Sequence, residues 1–147
     1  MEKKKLLIAY SNKSKHKSTA QYFIDAAINL SIEFITLSED ELCNGKFKKS
    51  YVHKIKKFKP DLIFYIEGGD HRFLPIELFN LDVPCVSYLI DTHLKKNQHF
   101  YLSQLFDINF LAQKKYISSK SIKNPKWLPL ASENYMINSQ NHFRTSI

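Results

Sequence analysis

Two short stretches of this chain concentrate groups that can do chemistry. Glu67-Gly68-Gly69-Asp70-His71-Arg72 sets two carboxylates, an imidazole and a guanidinium around two of the chain's 3 glycines. Asp91-Thr92-His93 adds another carboxylate, a hydroxyl and a second imidazole. An aspartate beside a histidine can orient the imidazole as a general base, and a carboxylate can itself take a proton, so Asp70, Asp91 and His93 are candidate bases. Gly68 and Gly69 lack Cβ atoms, so their turn can take positive φ and bring backbone N–H groups up to a ligand. Glu67, His71, Arg72 and Thr92 then stand as candidate substrate contacts around it. Plainer readings exist for the same residues: a glycine pair suits a tight strand-to-helix turn, and Asp91 or Thr92 can cap a helix. Glu67, Asp70, His71, Asp91 and His93 are of metal-ligand type, but nothing resembles HExxH spacing and no metal is expected.

Both stretches follow apolar runs, and so does a third polar stretch, Ser11-Asn12-Lys13. Apolar runs at residues 6–10, 32–37, 61–66, 85–90, 108–112 and 126–130 alternate with helix-length segments, the pattern of βα units around a parallel sheet. One helix is expected to start at Ser18 or Thr19, with Phe23, Ala27 and Leu30 on its buried face. Another spans Tyr51, Val52, Ile55 and Phe58 and is stopped by Pro60. Further helices are expected from Pro75 to about Asn80, at 98–106 and at 114–122, while residues 40–46 read as a loop. The expected fold is α/β: a single Rossmann-like, doubly wound parallel sheet of about six strands in the order 2-1-3-4-5-6, with helices on both faces. In that order the loops after the first, third and fourth strands meet at the carboxyl edge where the winding reverses. Ser11, Asn12, the 67–72 turn and the 91–93 turn are thereby gathered into one candidate ligand surface. Residues 132–147, polar and asparagine-rich, are expected to form a loose tail beyond a domain of residues 1–131.

A chain of 147 residues with 44% hydrophobic and 24% charged residues suits one globular domain. No apolar stretch approaches the roughly 20 residues of a membrane helix, and the first apolar run is shorter than the roughly 7–15 residues of a secretory signal core, so a cytoplasmic location is expected. Cys43 and Cys85 lack any CxxC partner and are expected as free thiols. The net charge of +8 raises the question of nucleic acid or acidic lipid as a partner, above all through the lysines of residues 46–59. Lysine in great excess over arginine, with abundant asparagine, isoleucine and phenylalanine, is what an AT-rich coding sequence writes. The expected reading is thus a solvated basic helix face, with neither nucleic acid nor a membrane surface as partner. No GxGxxG follows the first strand, and neither GxxxxGK[ST] nor GxSxG occurs, which removes the usual support for dinucleotide, P-loop and serine-hydrolase chemistry.

Read in order, "KPDLIFYIEGGDHRFLP", "VPCVSYLIDTHL", "FDINFLAQKKYI" and "WLPLA" resemble the amino-terminal domain of the CgeB-like (spore maturation protein) glycosyltransferases, over residues 59–131. The resemblance implies a GT-B architecture, with two Rossmann-like domains facing a cleft. In such enzymes the first domain contacts the sugar acceptor, the second binds a nucleotide-sugar co-substrate, and no metal or other cofactor is essential. It places the Gly68-Gly69 turn and the 91–93 strand end on the cleft wall. Asp91, His93 or Asp70 would deprotonate the acceptor hydroxyl if the reaction inverts, whereas a retaining reaction needs no such base. The family's donor domain would follow Ala131, so the chain is expected to supply the acceptor-side half, with the donor domain on a partner chain or in sequence beyond this piece. The alternative from another class is a non-catalytic Rossmann-like module that binds a sugar or nucleotide, or docks onto a partner.

Overall fold

The alternation of apolar runs and amphipathic segments resolves into a parallel sheet. The structure, a computed structural model, describes residues 4–10, 19–43, 46–67 and 76–130. Its strands are β1 (Lys5–Tyr10), β2 (Glu33–Leu37), β3 (Leu42–Cys43), β4 (Lys46–Phe47), β5 (Leu62–Ile66), β6 (Cys85–Leu89), β7 (Ile108–Leu111) and β8 (Pro125–Trp127), with helices α1 (Thr19–Asn29), α2 (Lys49–Phe58) and α3 (Lys96–Ser103) between them. The main sheet runs β2-β1-β5-β6-β7-β8 with every neighbouring pair parallel. Leaving aside the small β3-β4 hairpin, this is the expected 2-1-3-4-5-6 order, and the fold is Rossmann-like.

The central strands carry no charge because both of their faces are covered. Ile63, Tyr65 and Cys85 pack with Leu7, Ala9 and Leu37 under Tyr51 and Ile55 of α2 and Leu78 of a 3-10 turn (Ile76–Asn80). Ile8, Phe64, Ile66, Val86 and Tyr88 face the other way, under Ala20 and Ile24 of α1. Continuous apolar strands are what a sheet sandwiched between helices demands. Each outermost strand carries an exposed charge, Glu33 at the start of β2 and Lys126 in the middle of β8, which blunts it against edge pairing.

Aspartates fasten the amino edge of the sheet. Asp61 Oδ2 accepts from the Lys5 N–H at 2.8 Å while its own N–H donates to the Lys5 carbonyl. Asp107 repeats the arrangement one crossover later, its Oδ2 accepting from the Cys85 N–H at 2.9 Å and its N–H donating to the Cys85 carbonyl. Each carboxylate thus satisfies a strand-start donor that has no ladder partner.

In a glycine-poor chain the left-handed positions fall to other residues: Ser31, Lys59, Asp82 and Asn124 all have positive φ. Ser31 closes α1, where the Ile32 N–H reaches the Ala27 carbonyl and the Ser31 N–H reaches that of Ile28, a six-to-one and four-to-one pair of end bonds. Lys59 ends α2 immediately before Pro60, which steers its neighbour away from the right-handed helix.

Several expected elements differ in detail. Leu30, expected on the buried face of the first helix, is 71% exposed because α1 ends at Asn29 and Leu30 lies in the closing turn. Ala20, Ile24 and Ala27 bury instead. The expected loop at 40–46 contains a 3-10 turn (Glu39–Glu41) and the β3-β4 hairpin, held in place where Glu77 Oε2 accepts from the Phe47 N–H at 2.6 Å. The helix expected at 114–122 is only a 3-10 turn (Lys114–Tyr116), since its apolar residues serve the Leu89, Leu111 and Ile122 cluster rather than one helical face. The expected tail at 132–147 lies outside the described residues. No helix among the described residues is long and apolar enough to cross a membrane.

Candidate functional site

The carboxyl edge of the sheet is organised around one buried carboxylate. Glu67 follows the last residue of β5, and its N–H continues the ladder by donating to the Tyr88 carbonyl at 3.0 Å. Its side chain is 3% exposed. Glu67 Oε2 accepts from the Ile90 and Asp91 N–H groups at 3.1 and 3.3 Å, the donors left over where β6 ends. Oε1 meets Lys95 Nζ at 2.5 Å. His99 on α3 stands behind this pair, fully buried, with Nε2 3.4 Å from Glu67 Oε2 and Nδ1 3.1 Å from the equally buried Thr92 hydroxyl.

Burial alone would raise the Glu67 pKa. The His99 and Lys95 contacts, the charge on a protonated His99 and the Asp91 N–H outweigh it and hold the group down at about 2. Because folding lowers this pKa, the unfolded chain binds more protons at Glu67. The resulting stabilisation is complete above about 4.5 and disappears as the pH falls toward about 2. Across that window urea titrations should show wild type losing on the order of 3 kcal/mol more than Glu67→Gln. Parallel losses in the two proteins would refute the assignment.

The turn that Glu67 holds carries the exposed chemistry. Leu94 and Lys95 N–H groups both donate to the Asp91 carbonyl, so residues 91–95 wrap into one turn before α3. The helix begins at Lys96 without a side-chain cap, so neither Asp91 nor Thr92 caps it. The half-buried Asp91 carboxylate has no hydrogen-bond partner among the described residues. His93 is exposed, and its Nδ1 lies 3.2 Å from Gln113 Nε2, just beyond β7. The same amide nitrogen donates to the Ile90 carbonyl at 2.5 Å. An amide nitrogen only donates, so His93 Nδ1 is the acceptor and the neutral ring carries its proton on Nε2.

Comparison with protein-family models, with curated proteins and with solved structures finds no match. The chemistry of the site therefore has to be read from its own groups.

Of the residues expected at the ligand surface, Asp91 and His93 come together on one turn at the carboxyl edge. Glu67 and Thr92 reach the same place but turn inward, where their side chains meet Lys95 and His99. Ser11, Asn12, Gly68, Gly69, Asp70, His71 and Arg72 lie outside the described residues. Among the described residues no three His, Cys, Asp or Glu side chains cluster as a metal site.

Lys95, His99 and Gln113 were not anticipated. For two of them a signal was present: Thr92, Lys95 and His99 are spaced three and four apart, as on one face of a helix running into a carboxylate-tipped strand end. Deeper in the sheet Asn109, also fully buried, binds three elements together. Ser87 Oγ donates to its Oδ1 at 2.6 Å, while its Nδ2 donates to the Ser103 and Lys123 carbonyls at 3.0 and 2.6 Å. This network fixes the end of α3 and the approach to β8 relative to β6, and hence the platform under the 91–95 turn.

Proposed function

We propose that this chain is the acceptor-side half of a GT-B glycosyltransferase, with the nucleotide-sugar donor bound by a second domain. One observation carries the reading: at the carboxyl edge of a Rossmann-like sheet, the Asp91 carboxylate, without a hydrogen-bond partner among the described residues, sits two residues from a histidine whose tautomer is set by Gln113. In this reading Asp91 accepts the proton of the acceptor hydroxyl, and His93, with its proton on Nε2, donates a hydrogen bond to the acceptor. Glu67, Lys95 and His99 hold the turn rather than touch the sugar. The four phrases that resemble the CgeB-like enzymes support the same assignment.

The test begins with the genomic DNA downstream of the Ile147 codon. A second Rossmann-like reading frame, fused or adjacent, is expected; if there is none, the two-domain reading is lost. In the combined protein Asp91→Ala should slow sugar transfer by about 10²–10⁴-fold, with His93→Ala weaker because it removes a hydrogen-bond donor and not the base. Transfer unchanged by Asp91→Ala, in a protein whose circular dichroism matches wild type, would remove the base assignment.

A second reading, a non-catalytic module that docks a partner chain, is favoured by Leu94, 72% exposed within the same turn, and by Tyr101, 81% exposed on α3. Titration calorimetry separates the two: a module of this kind takes up neither nucleotide-sugar nor glycan when joined to its partner.

A further inference from the structure

The solvent face of α2 is uniformly positive. Lys49, Lys54, Lys56 and Lys57 lie on the helix, Lys48 and Lys59 flank it, all six are exposed, and residues 48–60 contain no carboxylate. The apolar residues Tyr51 and Ile55 are buried against the sheet, so the outward face offers charge rather than an apolar surface to insert.

A lysine-rich coding sequence does not account for this arrangement. Such a bias acts on the whole chain, yet α1, which covers the other face of the sheet and is one residue longer, has one aspartate and neither lysine nor arginine. Charge is therefore segregated across the sheet. Helix stability does not explain it either. Lys56 and Lys57 suit the negative carboxyl end of α2, but Lys48 and Lys49 stand at its positive amino end, which has no side-chain cap. Lys54 and Lys57 are like charges three apart, which repel. Carboxylates on neighbouring elements are tied to backbone donors: Glu77 to the Phe47 N–H, Asp61 to the Lys5 N–H and Glu41 to the Ser38 N–H.

We infer that the α2 face adsorbs electrostatically onto a membrane surface rich in anionic phospholipid. A helix of 10 residues is about 15 Å long, roughly two Debye lengths in physiological salt, so its lysines act together on the headgroups beneath them. A cluster of about four to eight lysines on an amphipathic helix is what an anionic bilayer attracts. Single-stranded nucleic acid, by contrast, is held by exposed aromatic rings. On α2, Tyr51 is buried, and Phe58 is half-buried with Lys5 Nζ 5.6 Å from its ring centroid. The inference does not depend on the transferase reading, because no residue of α2 belongs to the 91–95 turn.

Co-sedimentation of the whole 147-residue chain with vesicles is the test. The protein should partition onto phosphatidylcholine vesicles carrying about 30% phosphatidylglycerol and not onto phosphatidylcholine alone, and raising salt from about 0.05 to about 0.5 M should release it. Each lysine near such a surface contributes about fivefold in partition, so Lys49→Gln, Lys54→Gln, Lys56→Gln and Lys57→Gln together should weaken adsorption at least about a hundredfold. Lys115→Gln, Lys120→Gln, Lys123→Gln and Lys126→Gln remove the same net charge around β7 and β8 and should weaken it less than about tenfold. All eight side chains are exposed, so both variants should keep the wild-type circular dichroism. The inference is overturned if the anionic vesicles retain no more protein than the neutral ones, or if the two variants weaken adsorption equally. It is also overturned if poly(U) strips the protein from the vesicles at equal phosphate, which would give the face to a nucleic acid. Failure here would leave the roles of Asp91 and His93 untouched.

Discussion

Glu67→Ala is expected to remove about 3–5 kcal/mol of stability, read as a lowered urea midpoint at neutral pH. Truncation strips the partner from Lys95, leaves His99 buried beside a void, and orphans the Ile90 and Asp91 N–H groups. Each of those is a desolvation penalty, not merely a lost attraction. Glu67→Gln should be milder, because the amide oxygen still accepts from the two backbone donors while the charge opposite Lys95 is lost. Lys95→Met in the Glu67→Ala background should recover part of the loss, since it removes an uncompensated charge. A Glu67→Ala loss below about 1 kcal/mol would mean that water replaces the carboxylate freely and that the turn is not anchored by it. Because domains of this kind are stable by only about 5–15 kcal/mol, the variant also bears on function: the turn carrying Asp91 and His93 would lose its anchor well before the sheet melts.

Phe106→Ala should cost about 3–5 kcal/mol and lower Tm by roughly 10 °C. Phe106 is fully buried in the passage from α3 to β7. Its ring stacks on Tyr65 of β5 at 5.3 Å and meets Phe79 edge-on, also at 5.3 Å. No charged side chain can fill that site, and the surrounding strands are too regular to collapse into the vacancy, so the cavity term adds to the lost transfer energy. Phe106→Leu should cost less than half as much, because it keeps most of the buried area and forfeits mainly the ring geometry. Equal losses for the two variants would show that the aromatic pairing, rather than volume, holds α3 against the sheet.

The legible parts of this fold share one property: their signal is local. Leu62-Ile63-Phe64-Tyr65-Ile66 reads as a strand covered on both faces because nothing charged interrupts it, and the lysines flanking Tyr51 and Ile55 mark the solvent side of α2. Pro60 announces the end of that helix by its own ring geometry. Where the signal weakens, the reading shifts. Ile24 and Leu30 lie on either side of Ala27 around the helix, and the position of the α1 end decides which of them is buried beside it. Residues 114–122 contain apolar groups enough for a helix, but these are drawn into contacts with Leu89 and Leu111 that no local period encodes.

The candidate site divides along the same line. Asp91 and His93 are visible as a polar pair after an apolar strand, and the crossover rules alone bring their strand end beside that of Glu67. What each carboxylate does is not visible there. Glu67 and Asp91 are chemically alike, yet one is buried among Lys95, His99 and two backbone donors while the other stands half-buried without a partner among the described residues. That difference arises from residues 23–32 positions away in the chain, since hydrogen bonds and burial depend on what the folded backbone brings within about 3 Å. The sequence by itself determined the six strands of the main sheet, their parallel arrangement and order, and the edge at which polar groups collect, because period, proline and charge act over a few residues. Only the tertiary structure decided which acid is a strut and which is available, and that His93 accepts through Nδ1, because those properties belong to pairs that meet only once the sheet has formed.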